Sequence, residues 1–510
     1  MTTRQMQQIE ASLFAAGMPV AALMEKVAGR IAAWIEQHYP RSRTPRIGFV
    51  VGPGHNGGDA LVVARELHHQ GYEVLLWCPY TRTKELTTAH KTYLHYIDVA
   101  FTDSGERFAS CSLIIDGGFG FGLERPVEGI MATMLEQINR WPIPVVSIDI
   151  PSGLATDTGQ VMGAAIQATQ TLCLGLWKLG LFQDAARPYV GDRYLIPFDI
   201  PNHSIASVID TFPSGIRLSD AVAKSCLPLD RAVNAHKYMV GHLLLIAGSQ
   251  QYAGAALLAG KGAIASGVGM LTLVVPASLK LLMVSELPEA LVVGAPETPD
   301  GAIAELPPDW VWDKYDVVAC GPGMTLQADH CLERVFASDR PLVLDADGLN
   351  WLAQRSPVEK LRQRSAPTLL TPHLGEFRRL FPDWLNRAAT PSVAAHLAAQ
   401  STSTTIVLKG ATSAIAHVDG QLWFNADSTP ALARGGSGDV LTGLVGGLTA
   451  QHFKQSDGTE PGLLEPALGA VWWHAQAGQS LAATHTVLGG APSALADALL
   501  PTLRQFLDDA

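Results

Sequence analysis

Short apolar runs that end in glycine, proline or an acidic residue recur along this chain, separated by segments of helical length. This alternation constrains the fold most, because it is typical of parallel sheets covered by helices. A chain of 510 residues is also too long for one hydrophobic core. We therefore predict two α/β domains, over residues 1–215 and 216–510, joined by a Pro- and Ser-containing connection near residues 197–228.

The first domain is predicted to have a Rossmann-like strand order. Its predicted strands are RIGFVVG, YEVLLWC, SLIIDGG, PVVSIDIP and TQTLCLG, with helices near residues 59–70 and 128–140. The strands predicted for the second domain are GHLLLIAGS, MLTLVVP, DVVACGPG, PLVLDADG, PTLLTPH and TTIVLKG. Apolar helices near residues 436–451 and 465–483 are expected to cover the second sheet.

Charge and cysteine content narrow the class of partner and the compartment. The net charge of -11 argues against binding of nucleic acid, which needs a basic face, and favours small-molecule partners. The six cysteines form no CxxC pair, which fits reduced thiols better than disulfides or zinc. The N-terminal segment lacks an apolar run of signal-peptide length, and no segment is typical of a membrane span. We expect a cytoplasmic protein.

A glycine-rich loop follows the first strand, and two acidic loops follow later strands of the same domain. Gly52, Gly54, Gly57 and Gly58 leave backbone amides open to a phosphate at a helix N-terminus. The alternative is a tight turn capped by Asp59. The loops that start at Asp116 and Asp149 should converge with it on one crevice. Asn56, Asp116 and Ser152 offer hard oxygen ligands for a metal ion, whereas capping is the alternative for Asp116 and Asp149.

The loop motifs of the first domain resemble those of a known family. The combination of HNGGD, DGGFGFGLERP, IDIPSGL and WKLGL resembles the epimerase domain of the bifunctional NAD(P)H-hydrate repair family. The resemblance implies a potassium ion held by Asn56, Asp116 and Ser152, and Asp149 as the acid/base for inversion at a hydroxyl-bearing ring carbon. Lys178 is a weaker candidate for that role. The implied substrate contacts are Asn56, Gly57, Gly58, Asp59, Gly120, Phe121, Gly122, Leu123, Glu124, Arg125, Pro126 and Asp149. The chain departs from the family pattern at His55, usually asparagine, and at Ala60, usually glycine.

The segment LARGGSGDVLTGLVGGL places backbone amides and the Asp439 carboxylate at one helix N-terminus. Such amides can stabilise charge on a transferred phosphoryl group, and Asp439 can accept the proton of an attacking hydroxyl. A glycine-rich helix cap is the structural alternative. No Walker A motif occurs, which argues against a P-loop NTPase.

The order of HKYMVGHLLLIAGS, YAGAALLAG, CGPGM, LDADGLN, LTPHLGEFRRL and VLKGATS resembles the ribokinase-like fold, and more narrowly the ADP- or ATP-dependent NAD(P)H-hydrate dehydratase domain. The resemblance implies nucleotide contacts from Lys409, Gly410, Ala411, Thr412, Ser413 and Gly438. It implies substrate contacts from Ala255, Gly323, His373 and Asp439. The alternatives are helix capping for His373 and pairing with a surface carboxylate for Lys409.

Together the resemblances imply repair of hydrated NADH and NADPH (NADHX and NADPHX). By this resemblance, the first domain is expected to interconvert the R and S hydrates, and the second to dehydrate the S form with ADP, giving AMP and phosphate. The implied cofactors are K⁺ in the first domain and Mg²⁺ with ADP in the second. The residues alone leave open an ordinary small-molecule kinase with a nucleotide-binding N-terminal module. They allow a homo-oligomer without requiring one.

Overall fold

The computed structural model describes residues 1–209, 215–456 and 462–508. Contacts between residues divide the chain into two units, Met1–Ser214 and Gly215–Ala510. The predicted connection over residues 197–228 includes residues 210–214, which lie outside the described residues. Both units are α/β, as the alternation of apolar runs and helices predicts.

The first unit contains one parallel sheet of seven strands with the order β3-β2-β1-β4-β5-β6-β7. Its strands are β1 (Arg46–Val51), β2 (Glu73–Trp77), β3 (Ala100–Phe101), β4 (Leu113–Gly117), β5 (Val145–Ile148), β6 (Gln170–Leu174) and β7 (Asp192–Ile196). Its α-helices are α1 (Thr3–Ala15), α2 (Val20–His38), α3 (His55–His69), α4 (Glu85–Tyr96), α5 (Gly129–Ile138), α6 (Arg187–Val190) and α7 (Asn202–Ile209). The order confirms the Rossmann-like prediction.

The sheet order reverses at β1, which pairs with β2 on one side and β4 on the other. Loops that leave the carboxyl ends of β1 and β4 therefore diverge and leave a crevice between them. The five predicted strands are present, with β3 and β7 in addition. Apolar side chains of α1, α2 and α3 pack on one face of the sheet, around Ile9, Ile31 and Val62.

The second unit contains a sheet of ten strands with the order β11-β10-β9-β12-β13-β14-β15-β16-β17-β8. Its strands are β8 (Gly215–Arg217), β9 (His242–Ile246), β10 (Met270–Pro276), β11 (Leu291–Ala295), β12 (Val317–Cys320), β13 (Leu342–Leu344), β14 (Thr368–Leu370), β15 (Thr405–Leu408), β16 (Ser413–Ala416) and β17 (Leu422–Asn425). The pairs from β11 to β15 are parallel, whereas β15, β16 and β17 form antiparallel pairs and β8 runs parallel to β17. All six predicted strands are present.

Helices of the second unit cover this sheet. They are α8 (Asp220–Ser225), α9 (Ala253–Ala265), α10 (Lys280–Glu286), α11 (Asp329–Phe336), α12 (Ala346–Ala353), α13 (Pro357–Gln363), α14 (Leu374–Leu380), α15 (Pro382–Arg387), α16 (Pro391–Thr402), α17 (Ser437–Gln455), α18 (Leu464–His485) and α19 (Pro492–Asp508). The predicted late apolar helices correspond to α17 and α18. A Cβ atom at Gly443 would lie 1.8 Å from the Ala259 carbonyl oxygen, so α17 packs directly on the backbone of α9.

Within the described residues, no single helix has both the length and the apolar character of a membrane span. The bent pair formed by α1 and α2 meets the criterion jointly, by length and composition only.

Candidate active sites

The crevice of the first unit is a cavity of about 1030 Å³. The predicted loops converge there, because Asn56, Asp59, Asp149 and the whole of residues 120–126 line its wall. Gly57 and Gly58 are buried beneath the wall, at the start of α3. The fold thus brings the predicted substrate-contacting residues of this unit together around one space.

The glycines after β1 differ in what they do. A Cβ atom at Gly52 would lie 1.6 Å from the Gly118 carbonyl oxygen, and one at Gly57 would lie 2.0 Å from the Gly52 carbonyl oxygen. A Cβ atom at Gly54 would meet no atom within 4 Å. Gly52 and Gly57 therefore permit backbone packing, whereas Gly54 leaves open space beside the cavity. Asp59 lies inside α3, whose N-cap residue is Gly54, so the alternative of an Asp59 cap is wrong.

We expect Gly52→Ala to lower the free energy of unfolding of the first unit by about 3 kcal/mol or more, because the methyl group overlaps a fixed carbonyl. Gly54→Ala is the matched control, since its methyl group enters open space. The measurement is the urea unfolding of both variants, followed by a signal that reports the first unit. Equal destabilisation of both variants would contradict the packing role of Gly52.

Asp116 and Ser152 form a buried hydrogen-bonded pair at the ends of β4 and β5. The Ser152 hydroxyl donates to Asp116 Oδ1 at 2.6 Å, and the Ser152 amide donates to Oδ2 at 2.8 Å. The Ser147 hydroxyl and the Gly118 amide also donate to this carboxyl group. Burial raises the pKa of Asp116, and these hydrogen bonds oppose the rise. The Gly118 bond is of the turn-capping type, so the capping alternative describes one of its four contacts.

Asn56 lines the cavity and carries a polar atom without a hydrogen-bond partner in the described part of the chain, whereas Asp116 and Ser152 are not among the residues of the cavity wall. Its Nδ2 atom is buried and has no hydrogen-bond partner among the described residues. A Cβ atom at Gly120 would lie 3.3 Å from Asn56 Oδ1 and 3.2 Å from Asp149 Oδ2, so both side chains crowd the Gly120 backbone. Rotation of the amide by half a turn would exchange its nitrogen and oxygen.

Asp149 is held at the end of β5 in an ion pair with Lys178. Asp149 Oδ1 lies 2.5 Å from Lys178 Nζ, and the two side chains are 4% and 1% exposed. The Phe121 amide donates to Asp149 Oδ2 at 3.0 Å. Burial, the largest single influence, favours the neutral form of Lys178, but Asp149 together with Cys173 and Glu10 outweighs it and raises the pKa of the lysine. Asp149 has φ of +69°, a strained conformation for a residue with a side chain, which directs its carboxylate into the site.

Two further acids reach the cavity. Burial is the main cause that raises the pKa of Asp59 well above its usual range, and repulsion from Asp149 adds to it. Burial likewise raises the pKa of Glu10, in α1, to about 7. Sequence reasoning missed Glu10, because its helix carries no local signal that links it to loops distant along the chain. The cavity therefore holds two carboxyl groups with raised pKa values beside the Asp149–Lys178 ion pair.

In the second unit, Lys409 projects from the end of β15 to a buried carboxylate. Its Nζ lies 2.8 Å from Oδ1 of Asp345, which is only 1% exposed. The Thr442 hydroxyl, in α17, donates to Asp345 Oδ2 at 2.6 Å. The alternative that Lys409 pairs with a surface carboxylate is therefore wrong. Sequence reasoning marked the segment LDADGLN but not Asp345 itself, and it missed Thr442.

Asp439 lies in the first turn of α17, three residues after the N-cap Gly436, which has φ of +99°. Burial, reinforced by repulsion from Asp345, raises the pKa of Asp439 to about 7, although Lys409 opposes the rise. A Cβ atom at Gly438 would lie 3.3 Å from Lys409 Nζ, so the ammonium group sits against this turn. The glycine loop is thus a helix cap, and the Asp439 carboxyl group takes no part in that cap.

The other predicted residues of this unit lie at neighbouring strand ends. His373 forms a backbone bridge with Lys409, and Lys409 starts the hairpin that contains residues 410–413. The His373 Nδ1 atom accepts hydrogen bonds from the amides of Gly375 and Glu376, so the capping alternative is correct for this nitrogen. Ala255 and Gly323 meet at a separate point, where a Cβ atom at Gly323 would lie 2.8 Å from that of Ala255.

Comparison with known proteins matches both units to described families. Residues 20–180 match the family described as YjeF-related protein N-terminus, and residues 243–501 match NAD(P)H-hydrate dehydratase. A bifunctional NAD(P)H-hydrate repair enzyme of Thermosynechococcus vestitus is 49% identical over 506 residues, which cover 99% of this chain and 97% of that protein. This chain belongs to the family of bifunctional NAD(P)H-hydrate repair enzymes.

Other members of the repair-enzyme family match over similar lengths. The relative from Synechocystis sp. is 49% identical and covers 99% of this chain and 94% of its own. Among solved structures, the ADP/ATP-dependent NAD(P)H-hydrate dehydratase of Bacillus subtilis, co-crystallised with ATP/Mg²⁺, is 32% identical. That match covers 57% of this chain and 98% of the Bacillus chain, with a TM-score of 0.48.

Proposed function

We propose that the two units carry the two activities of the repair family, with epimerisation in residues 1–215 and ADP-dependent dehydration in residues 216–510. The substrates are NADHX and NADPHX, and ADP is the second substrate. The observation that carries the proposal is the presence in each unit of a candidate acid/base carboxyl group close to a lysine, Asp149 with Lys178 and Asp439 with Lys409. The cytoplasm is the proposed location, since the six cysteines are free thiols.

In the first unit, the hydroxyl-bearing ring carbon of the hydrate is also bonded to the ring nitrogen. Asp149 takes the hydroxyl proton as the carbon–nitrogen bond opens, and it passes that proton to the ring nitrogen. When the nitrogen attacks the other face of the resulting aldehyde, Asp149 takes the proton from the nitrogen and returns it to the new hydroxyl, which inverts the carbon. Lys178 compensates the charge of Asp149 during this cycle, at 2.5 Å from Oδ1.

In the second unit, Asp439 takes the proton of the substrate hydroxyl as its oxygen attacks the terminal phosphorus of ADP. The bond from that phosphorus to the bridging oxygen breaks, which releases AMP. The ring nitrogen then expels phosphate from the phosphorylated carbon. Loss of a proton from the adjacent ring carbon restores the dihydronicotinamide. The backbone amides at the start of α17 stabilise charge on the phosphoryl group, with Gly438 and residues 409–413 proposed to contact the nucleotide.

The residues proposed to hold K⁺ fit a hard cation. Asp116 and Ser152 provide carboxylate and hydroxyl oxygens. The Asn56 Nδ2 atom has no partner among the residues that the structure describes, and rotation of the amide by half a turn would place its oxygen there as a third ligand. Bound K⁺ would supply positive charge near the substrate. In the second unit, Mg²⁺ would neutralise the nucleotide phosphates.

Replacement of K⁺ by choline is expected to slow epimerisation about tenfold or more, because a bound cation contributes several kcal/mol of charge stabilisation. Dehydration of the S hydrate should not change. Added K⁺ should also raise the unfolding temperature of the first unit. No effect of K⁺ on either the rate or the unfolding temperature would count against the site at Asn56, Asp116 and Ser152.

Dehydration should gain rate as the pH rises through about 7, because Asp439 acts in its ionised form and its pKa is raised to about 7. The value of kcat/KM for the S hydrate, measured from pH 5.5 to 8.5, should therefore show an acidic limb that falls about tenfold per pH unit. A flat profile below pH 7 would show that the base has an ordinary carboxyl pKa.

Product analysis tests the proposed reaction. With ADP and the S hydrate, we expect one AMP and one phosphate for each dihydronicotinamide regenerated, with no lasting phosphorylated organic product. The same balance with ATP would give ADP and name the preferred donor by the faster rate. Accumulation of a stable phosphorylated product, without recovery of the dihydronicotinamide, would indicate a small-molecule kinase.

A further inference from the structure

A buried network joins three elements beneath the proposed dehydratase site. The Asp345 carboxylate, at the N-terminus of α12, accepts from Thr442 in α17 and pairs with Lys409 at the end of β15. Both carboxylate oxygens are therefore engaged, at 2.6 Å and 2.8 Å. A buried carboxylate with two such partners has one fixed position, and it fixes the lysine in turn.

Lys409 lies close to Asp439 but does not pair with it. Its ammonium group sits against Gly438, the residue before Asp439. Within the described ranges, the Asp439 carboxyl group has neither an ion pair nor a hydrogen bond, although Lys409 is close enough to affect its pKa. Lys409 and Asp439 attract each other, so without a competing anion the lysine would pair with Asp439 and weaken it as a base.

We propose that Asp345 is a positioning residue for dehydration, which holds Lys409 against the first turn of α17 and keeps it from pairing with Asp439. The inference rests on the proposed role of Asp439 as the base. Asp345 itself contacts no reacting atom. It gives the ammonium group a place from which it can meet a phosphoryl oxygen, while the carboxyl group of Asp439 remains free for the substrate hydroxyl.

Several charged groups surround Asp439. Asp345 and Asp347 favour its neutral form, and Lys409 favours its charged form. Glu376, on α14, acts on Lys409, and the buried His474, on α18, bonds to the Ser437 carbonyl at 2.9 Å. Burial is the main cause that lowers the pKa of His474 to about 4, so this histidine stays neutral at the pH of the assays. Asp345, Asp347 and Lys409 are thus the charges whose removal should move the pH profile.

The test is Asp345→Asn, which keeps the side-chain shape and an acceptor for Thr442 but releases Lys409. We expect kcat for dehydration to fall about 100-fold. The acidic limb of kcat/KM should move about one unit to lower pH, because the repulsion between Asp345 and Asp439 is lost and the freed lysine pairs with Asp439. Lys409→Met should move the limb the opposite way. The ionisation of ADP is the same in all assays, so differences between the pH profiles of the variants arise from groups of the protein.

Asp347→Asn is the matched control. It removes the same charge from the same helix, but Asp347 accepts from the Thr325 amide and does not contact Lys409. We expect this variant to keep most of kcat, with a smaller shift of the limb. If Asp345→Asn does not fold, Thr442→Val removes one anchor of the network and should shift the limb in the same direction.

If the acidic limb of the kcat/KM profile stays in place in Asp345→Asn and in Thr442→Val, the positioning role is overturned. Equal effects of Asp345→Asn and Asp347→Asn on kcat and on the limb would also overturn it. If Asp345→Asn and Lys409→Met both lose rate but their acidic limbs do not shift in opposite directions, the network has only a structural role. The proposed function fails separately, if Asp439→Asn keeps the wild-type kcat.

Discussion

Asp439→Asn is expected to lower kcat for ADP-dependent dehydration of the S hydrate by about 10³-fold, while epimerisation by the same chain is unchanged. The amide cannot accept the hydroxyl proton, and positioned bases contribute roughly 10²–10⁴-fold. ADP should still bind, because the backbone amides of α17 and the Lys409 ammonium remain in place. The measurement is regeneration of dihydronicotinamide absorbance, with the ADP affinity determined by calorimetry.

The folding of the Asp439→Asn variant can be checked by its unfolding temperature. The pKa of Asp439 is about 7 in the folded chain, against an ordinary value of 3.8, so the folded state holds the proton more tightly between these values. Stability contributed by this group is therefore lost as the pH rises from about 4 to 7. Asp439→Asn lacks that loss and should unfold at the wild-type temperature or above at pH 8. A folded variant with wild-type kcat would contradict the role of Asp439.

Asp149→Asn is expected to lower the rate of epimerisation by about 10²–10⁴-fold, because the side chain can no longer exchange the hydroxyl proton. In the full chain with ADP, a mixture of hydrates should then recover in two phases. The S portion reacts at the wild-type rate, and the R portion follows at the rate of spontaneous epimerisation. The dehydratase thus serves as an internal control for enzyme concentration.

The Asp149–Lys178 pair complicates this variant in one respect. Removing one partner of a buried pair leaves an uncompensated charge, at a cost of about 3–5 kcal/mol. The double variant Asp149→Asn/Lys178→Met removes both charges and serves as the folded reference. Lys178→Met alone separates the acid/base group from its partner. A single-phase recovery in the folded double variant would show that neither residue is needed for inversion.

The two sites use lysine differently. In the first unit the lysine pairs with the proposed acid/base group itself, 2.5 Å from Asp149. In the second unit it pairs with Asp345 and leaves Asp439 unpaired. In the first unit, the lysine forms an ion pair with a carboxyl group of the cavity wall. In the second unit, the carboxyl group of Asp439, whose pKa is about 7, stays available for proton transfer.

The central parallel strands could be predicted because each is a buried run of apolar residues, such as LLLI in β9. Two of the strands that were not predicted, β3 and β11, lack that signal. Ala100–Phe101 is only two residues long, and Leu291–Ala295 lies at the sheet edge with its side chains partly exposed. Their pairing depends on neighbouring strands that are distant in sequence, which no local pattern records.

The proposed site residues at loop motifs were also accessible from the sequence, because glycines and acids cluster after strands. The partners of those residues were not. LDADGLN contains two aspartates with the same local context, and only the fold buries Asp345 against Lys409 while Asp347 accepts from the Thr325 amide. Glu10 reaches the first cavity from α1, far along the chain from the motifs that surround it.

The most direct test starts from the purified R hydrate of NADH, mixed with the full chain, K⁺, Mg²⁺ and ADP. Both activities are needed to convert this epimer, so the account predicts complete recovery of dihydronicotinamide absorbance much faster than spontaneous epimerisation allows. Recovery should require ADP, and one AMP should form for each dihydronicotinamide. Recovery limited to the spontaneous rate, from a chain that dehydrates the S hydrate rapidly, would contradict the claim that this chain carries both activities.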